Sequence, residues 1–329
     1  MFSDCNIPTL WASTNSIGSL RNRPIITMRR IRFRLLSLAL TCGACLAFPA
    51  AAQNTGDEGR EIIVRGKKTT ERSIVSSMAQ DITRRPRIDK PLSRRYNAVC
   101  LGLYGMKAET GLALLAQIES NLDNLGIRRD KEGCQVNSLV AFVQDGPKTV
   151  KALRKEQPQL FEGLLDHEVD RIFAGNGAAQ AWQTTLVKGA DGKEFYSGTF
   201  GNPPREVEIN TGYRASNLAQ QIRADILGAV IVFDNDFVPG KTIQQLADYA
   251  TIRLVAPTAD LSEEAGISSI LTLFAEDNLT PEGLTDFDWA YLNALYRLPP
   301  TASGSSIRGA TWAEYRKLTK DPAPEAADQ

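Results

Sequence analysis

Histidine is the residue that this sequence most lacks: the 329 residues include one, His167. A zinc hydrolase of the HExxH type needs two histidines one helical turn apart. A Ser-His-Asp triad would have to use His167, which lies in the helical pattern LLDHEVDRIF. A lone histidine on a helix is more often structural than catalytic. The sequence therefore predicts neither of these two chemistries.

Three other active-site motifs are absent. The sequence has no GxSxG nucleophile turn, no GxxxxGK[ST] phosphate loop and no GxGxxG dinucleotide motif. The glycine-containing segment GNGAAQ, at 175–180, follows a helical pattern where a nucleotide-binding turn would follow a strand. We therefore expect no cofactor.

Long apolar segments are also scarce. One apolar run, at 35–48, follows four arginines between 29 and 34 and precedes three alanines at 50–52. It is well short of the roughly 20 residues that cross a bilayer as a helix. This pattern is typical of a cleaved secretory signal, at 28–52, with cleavage near Ala52; an uncleaved anchor is the alternative. We expect residues 1–27 to be a start-site artefact. The remaining chain is expected to be periplasmic or secreted, with no integral membrane segment.

Net charge is absent too, since 38 basic residues balance 38 acidic ones. Residues 1–52 hold six arginines and one aspartate, so the rest of the chain has 32 basic and 37 acidic residues, a net of about −5. Such a balance disfavours a nucleic-acid partner. One stretch is an exception, and its interruption by proline favours a solvated linker: Arg84, Arg85, Arg87, Arg94 and Arg95.

Two cysteines, Cys100 and Cys134, follow the predicted signal. With one histidine they are too few for a cysteine and histidine zinc cluster, and we expect no metal site of that kind. Paired thiols in an exported chain usually form a disulfide. A redox-active pair is the alternative, but CxxC spacing is missing. The sequence predicts a structural Cys100–Cys134 disulfide.

The rest of the sequence divides into three parts. Residues 53–95 are predicted to be a flexible leader with a short helix at 70–82. Residues 96–319 are predicted to form a single folded domain, and residues 320–329 a disordered tail. Helical spacing of apolar residues predicts an amphipathic helix that ends at Gly126. Its apolar stripe is Leu112, Leu115, Ile118, Leu122 and Leu125.

Strand and helix patterns alternate through the predicted domain. Strands are predicted at 135–145, 181–187, 193–200, 205–210 and 228–234, the last a nearly all-apolar central strand. Helices are predicted at 147–158, 164–173, 242–256, 265–275, 284–298 and 309–318. This order indicates an α+β or α/β fold, with one mixed sheet and several packing helices.

Carboxylates are the remaining candidates for chemistry. Asp234 and Asp236 end the apolar strand, where α/β sheets often bind ligands, and their oxygens suit Ca²⁺ or Mg²⁺. We favour the alternative interpretation, in which these residues form a turn before Pro239 and bind no ligand. Asp248 lies on the predicted helix at 242–256, and Asp286 stands where it would support a helix start.

The order of these segments resembles uncharacterised exported proteins of Gram-negative bacteria. The resemblance rests on Cys100, the helix that follows it, the motif GCQVN at 133–137, AWQ at 181–183 and LADYATIRL at 246–254. It covers about residues 96–318 and implies export and a disulfide.

The segments at 242–298 are also distantly similar to the architecture of metzincin-like secreted peptidases. In the register that this similarity implies, Ala247 and Thr251 stand in the places of two zinc-binding histidines. Asp248 stands in the place of the glutamate, and Leu254 stands in the place of a turn glycine. The resemblance implies a relative of that architecture without its zinc ligands.

Two hypotheses of function follow. The first is a non-enzymatic exported protein that binds or scaffolds an unknown envelope component or protein. The second is a carboxylate-based hydrolase of envelope polysaccharide or peptide. It would draw its acids from Asp234, Asp236, Asp248 and Asp286, two of them roughly 5–10 Å apart across a cleft. A separate alternative is a partner-binding module that uses the 53–95 leader as a flexible arm.

Overall fold

The predicted apolar strand is the centre of a five-stranded mixed sheet. The computed structural model describes residues 71–84, 91–175, 177–200, 203–210, 221–259, 261, 266–275 and 280–320. The strands are β1 Ser93–Arg94, β2 Leu101–Tyr104, β3 Ser138–Val143, β4 Ala179–Gly189 and β7 Ile222–Asp234. A separate antiparallel pair consists of β5 Tyr196–Phe200 and β6 Arg205–Ile209.

β7 organises the main sheet because it pairs along both of its edges. One edge is antiparallel to β4 over the whole length of that strand. The other edge is parallel to β3 in its second half and to β1 near its start. β2 then adds to β3, also parallel. The sequence pattern located only the second half of β7, since IRADIL lacks a continuous apolar run.

Seven α-helices occur in the described part of the chain. They are α1 Glu71–Ile82, α2 Ala108–Asn124, α3 Gly146–Glu156, α4 Asp166–Phe173, α5 Ile243–Val255, α6 Asp286–Arg297 and α7 Ser306–Lys320. Short 3-10 helices lie at Pro158–Phe161 and Ile270–Thr272. The α-helix predicted at 265–275 is therefore wrong. Its described residues contain only the 3-10 helix Ile270–Thr272, for which Ser269 is the N-cap.

The sheet separates two apolar layers. Alternate residues of a strand face opposite sides, so Val140 and Phe142 pack with α1, α2, α5 and α6, whereas Ala141 packs with α3 and α4. Phe142 stacks on Phe233 in the larger layer, with ring centroids 4.9 Å apart. In the smaller layer Trp182 stacks on Phe161 at 4.7 Å.

The apolar face of α2 differs from the predicted stripe. Gly111, Leu114, Ile118 and Leu122 are buried, whereas Leu112 is 67% exposed. The prediction placed the stripe one position out of phase at its start, because both sets have helical spacing. The predicted end is confirmed: Gly126 follows the last turn with a φ of +68°, as a glycine cap does.

Arg94 and Arg95 contradict the interpretation of their segment as a solvated linker. They are 5% and 4% exposed. Arg95 Nη2 donates to Ser138 Oγ at 2.7 Å and its Nη1 to the Leu227 carbonyl at 3.0 Å. Burial lowers the pKa of Arg95 to about 10. Arg95 thus ties the chain before the domain to β3 and β7.

A disulfide joins Cys100 and Cys134, which are 34 positions apart in sequence and have their Cα atoms 6.0 Å apart. It links the start of β2 to the segment before β3 and confirms the predicted pairing. The mixed sheet with its packed helices likewise confirms the predicted fold class, and all described residues belong to one compact unit. Within the described ranges, no helix combines the length and apolar character needed to cross a membrane. The predicted signal, the start-site segment and the tail beyond residue 320 lie outside those ranges, as do residues 60–68, whose pattern REIIVRGKK predicts a short strand.

Candidate functional site

α5 follows β7 and occupies a place where an active-site helix is expected, but it is buried on every side. Its N-cap, Thr242, forms a capping box with Gln245, which begins the helix. Every residue from Gln245 to Val255 is buried. Apolar contacts with α2 and β7 surround it, so α5 forms part of the core.

The carboxylate of Asp248 holds α5 against two neighbouring segments. Its Oδ1 accepts from Asn121 Nδ2 at 2.6 Å and from Gln117 Nε2 at 3.1 Å, both on α2. Its Oδ2 accepts from the Leu284 amide at 2.9 Å. Asp248 is 2% exposed, and a Cβ added to Gly283 would lie 2.4 Å from Oδ2. Donors and backbone therefore enclose this carboxylate.

The carboxylate of Asp234 also accepts hydrogen bonds from nearby backbone amides. Its Oδ2 accepts from the Gly146 amide at 2.8 Å, at the start of α3, and its Oδ1 accepts from the Asp236 amide at 3.0 Å. Asp234 is 6% exposed, whereas the side chain of Asp236 is exposed on the turn. These contacts begin a helix and form a turn, which is the role that the sequence favoured.

Asp288 is the most deeply buried of the acids, at 0% exposed. It accepts from Ser269 Oγ at 2.6 Å, the Ile270 amide at 2.8 Å and both the amide and Oγ1 of Thr285. Burial raises the pKa of Asp288 above its usual range, although the four donors act in the opposite direction. With Thr285 it forms the capping box of α6, while Asp286 is exposed in the same turn.

The candidate acids thus lie on different elements. Asp248 faces α2, Asp234 and Asp236 lie at the end of β7, and Asp286 is on the first turn of α6. The described residues contain no group of three or more His, Cys, Asp or Glu side chains arranged to hold a metal ion.

A cleft of about 160 Å³ lies instead beside β4. Among the described strands β4 pairs only with β7. Residues 181–185 of β4 form one wall, α4 and the residues before it a second, and residues 253–258 a third. Arg84, Pro91, Ser93 and Ala224 complete the described lining.

Backbone pairing brings the parts of this cleft together. Thr83 and Thr258 form an antiparallel bridge, and the Arg84 amide donates to the Pro257 carbonyl at 2.7 Å. Gln183 Nε2 on β4 donates to the carbonyls of Arg253 and Ala256, both at 2.8 Å. The segments after α1 and α5 are therefore fixed relative to β4.

Several charged side chains belong to the described lining of the cleft. Three guanidinium groups line it: Arg171 is exposed, Arg84 is half-buried and Arg253 is 3% exposed. One carboxylate, Glu168, lines it too, and its Oε2 accepts from the Leu165 amide at 2.8 Å. His167, the one histidine, is an exposed residue of the same wall.

Thr258, a residue of the cleft lining, carries a buried hydroxyl. Thr258 is 3% exposed, and its Oγ1 has no hydrogen-bond partner among the described residues. Its carbonyl accepts from Arg253 Nη1 at 2.9 Å, which fixes the backbone beside the guanidinium. An unpaired buried hydroxyl costs free energy unless a water or a ligand satisfies it.

Sequence reasoning did not find this cleft, because its residues come from five separated segments with no shared motif. It assigned Arg84 to a linker and His167 to a structural role, and it did not consider Thr258. The only signal available was the group of arginines near residue 84. A scan of protein-family models found no match, and neither curated proteins nor solved structures gave a match to this chain.

Proposed function

We propose that this protein is an exported, non-enzymatic binding protein of the periplasm or cell envelope, and that the cleft beside β4 is its ligand site. The signal-like segment at 28–52 and the disulfide support export. The ligand is a soluble envelope component or protein segment small enough at its contacting end for a cleft of about 160 Å³.

One observation favours a binding function over hydrolysis. Among the described residues, the cleft is lined by three arginines and by one carboxylate, Glu168, which caps α4. A carboxylate-based hydrolase needs two acids on either side of its substrate. Asp234 and Asp248 accept hydrogen bonds within the fold, away from this lining.

The resemblance to zinc-free relatives of a metzincin-like architecture remains part of the proposal. It is supported by the side chains of α5, since Ala247 has no ligating atom and Thr251 Oγ1 donates to the Ala247 carbonyl at 2.8 Å. Neither side chain is suited to hold zinc.

The test measures binding and turnover on the same samples. The exported chain is titrated calorimetrically with soluble peptidoglycan fragments and with envelope peptides, and each mixture is then analysed for products by mass spectrometry. We expect saturable binding without new products. Arg171→Gln is expected to weaken binding about tenfold, the value of one charge-assisted hydrogen bond.

The matched control is Arg316→Gln, an exposed arginine on α7 outside the cleft, which should bind as the unaltered chain does. Product formation that disappears in Asp234→Asn or Asp236→Asn would overturn the proposal in favour of the hydrolase.

A further inference from the structure

A second concave surface lies between α1 and α7, which pack along each other. It is a groove of about 420 Å³, and none of its described residues lines the cleft beside β4. Its described lining contains only arginine, serine and glycine: Arg72, Ser73 and Ser76 on α1, and Ser305, Arg308 and Gly309 at the start of α7. The described lining is therefore polar and carries no carboxylate.

Two guanidinium groups give this lining a net positive charge. Arg72 and Arg308 are both exposed, and neither side chain makes a hydrogen bond or an ion pair within the part of the chain that the structure describes. Other surface arginines differ, since Arg129 and Arg297 each pair with a carboxylate. Both guanidinium groups of the groove thus keep their planar sets of donors available, in an arrangement that matches the oxygens of a phosphate.

Gly309 is an independent indication that a ligand approaches this groove. It is the fourth residue of α7, and within a helix glycine is less favourable than alanine. Close packing explains such a glycine at Gly111 of α2, where an added Cβ would lie 2.6 Å from Leu103 Cδ2. At Gly309 an added Cβ would meet no described atom within 4 Å. The described fold does not require this glycine, whereas a ligand that contacts the helix backbone would require it.

Hydroxyl groups border the two arginines. Ser76 Oγ donates to the Arg308 carbonyl at 3.4 Å, and Ser305 Oγ lies 2.9 Å from Ser303 Oγ in the turn before α7. The contact of Ser76 is long for a hydrogen bond between two oxygens, so its hydroxyl can rotate toward a ligand. The groove thus offers neutral donors beside the charged ones.

We propose that the groove between α1 and α7 binds a phosphate group, with Arg72 and Arg308 as its charge partners and the backbone at Gly309 as its floor. The two positive charges match the charge of about −1.5 to −2 that a phosphate monoester carries at neutral pH. The phosphate belongs either to a soluble ester or to a phospholipid headgroup. Because this groove is separate from the cleft beside β4, the inference goes beyond the function proposed for that cleft and does not depend on it.

The first experiment locates binding by the amide chemical shifts of the isotope-labelled exported chain. Inorganic phosphate, glycerol phosphate and succinate are titrated separately at constant ionic strength. We expect the two phosphates to shift the amides of Arg72, Ser76, Arg308 and Gly309 in a saturable way, and succinate to require a higher concentration. Saturable shifts that lie only outside the groove would overturn the proposal.

The second experiment distinguishes the two sources of phosphate. The exported chain is sedimented with vesicles of phosphatidylcholine that contain phosphatidic acid, and with vesicles of phosphatidylcholine alone as the control. Binding to the acidic vesicles that requires Arg72 and Arg308 supports the proposal with a lipid headgroup as the source. Saturable shifts with the soluble phosphates alone support it with a soluble ester as the source. Absence of both overturns it.

Arginine variants test the charge partners. Arg72→Gln and Arg308→Gln are each expected to weaken phosphate binding roughly three- to tenfold. Their Tm should be unchanged, because both side chains are exposed and bind nothing in the described fold. The matched control is Arg316→Gln, on an exposed site of α7 outside the groove. Equal weakening by Arg316→Gln would show that binding follows overall charge and would overturn the proposal.

Gly309→Ala separates a ligand contact from a position that is merely helical. Alanine is the better helix former, so Tm is expected to rise by roughly 2–4 °C. The added methyl group occupies the floor of the groove, so phosphate binding is expected to weaken about tenfold. Ser120→Ala, on an exposed site of α2, is the control that improves helix propensity outside the groove and should leave binding unchanged. Unchanged or tighter phosphate binding in Gly309→Ala would overturn the proposal.

Discussion

At the scale of single residues, Gly105 is the position where the fold most strictly requires a glycine. Gly105 follows β2 with a φ of +81°, and a Cβ there would lie 1.9 Å from the Phe142 carbonyl oxygen. Both the φ value and the contact exclude a side chain. The end of β2 can therefore lie beside β3 only because this residue is a glycine.

Gly105→Ala is expected to lower the free energy of unfolding by about 3–4 kcal/mol, the sum of a left-handed backbone penalty and an overpacked contact. Gly126→Ala is the control, because φ is +68° there but no atom lies within 4 Å of the added Cβ. It should cost about 1–2 kcal/mol. Urea unfolding measures both, and equal losses would contradict the role of the Phe142 contact.

A second prediction at this scale concerns Asp288. Because burial raises the pKa of Asp288, the folded state holds its proton more tightly than the unfolded state. The stability that this group contributes is therefore greatest below the usual aspartate pKa and falls as pH rises through the interval up to the raised value. Beyond that interval the contribution is constant.

Asp288→Asn removes this titration. The variant is expected to be less stable than the unaltered chain by about 1–3 kcal/mol at pH 4, since the amide NH2 would face a donor where the protonated carboxyl still has an oxygen. That difference should shrink as pH rises toward neutrality. Urea unfolding from pH 4 to 7 measures it, with Asp286→Asn as the exposed control in the same turn. A difference that grows with pH would contradict the raised pKa.

At the scale of elements, the contact between α2 and α5 combines apolar packing with a buried polar cluster. Asn121 Nδ2 donates to Asp248 Oδ1 and also lies 3.1 Å from Thr251 Oγ1. Buried polar groups stabilise only while each has a partner, so removing one of them leaves the others unsatisfied. These hydrogen bonds fix how α2 and α5 align along each other. They also explain why α5 carries a buried acid, Asp248, without forming an active site.

The pair Asn121 and Asp248 should behave as a coupled unit. Asp248→Ala is expected to cost about 3 kcal/mol, because the amides of Asn121, Gln117 and Leu284 lose their acceptor. Asn121→Leu combined with Asp248→Ala should cost less than the sum of the two single changes, by about 1–2 kcal/mol.

Urea unfolding of the four chains of this double-mutant cycle gives the coupling free energy. The control cycle replaces Asp248→Ala with Asp234→Ala, which lies at the end of β7 and shares no hydrogen-bond partner with Asn121. Its effects should add within about 0.5 kcal/mol. Additive effects in the first cycle would contradict a coupled cluster.

At the scale of the whole molecule, the folded unit includes segments before residue 96. Val75, Met78 and Ile82 of α1 are 0–4% exposed in the larger apolar layer, which α1 shares with α2, α5 and α6. Their burial is worth roughly 1.5–3 kcal/mol each. That total approaches the 5–15 kcal/mol by which a typical domain is stable.

A chain that begins at Tyr96 is therefore expected to lose cooperative unfolding, whereas a chain that begins at Thr69 should keep it. Circular dichroism during thermal unfolding distinguishes the two. The control is Val75→Asp in the longer chain, which should lower Tm strongly if α1 is needed for its apolar face. A stable, cooperative chain that begins at Tyr96 would show that α1 is dispensable.

Export is the second prediction for the molecule as a whole. Expression of the full chain in a Gram-negative host should yield a periplasmic product that begins at Gln53, because cleavage after small residues is typical of secretory signals. N-terminal sequencing of the periplasmic fraction measures this. Replacing the arginines at 29–34 with glutamates is the control and should block export. A product that retains residue 28 would favour the anchor.

The sequence alone determined the features that rest on local or compositional chemistry. Apolar periodicity located most helices and strands. The capping box at Thr285 and Asp288 and the end of α2 at Gly126 followed from local hydrogen bonding. Of the five cysteines, the two that follow the signal-like segment could form only one pair with each other. Where two apolar phases were equally regular, as at Leu112, periodicity did not decide which face is buried.

Only the tertiary structure decided what the polar residues do. Arg94 and Arg95 lie in a stretch with the composition of a linker, yet both are buried. They donate to the carbonyls of Leu295 on α6, Leu227 on β7 and Asn137 just before β3. Asp248 became an internal hydrogen-bond acceptor because α2 and the turn at Leu284 pack around it. The cleft that unites Arg84, Arg171 and Thr258 depends on contacts between residues far apart in the chain, which no local pattern in the sequence encodes.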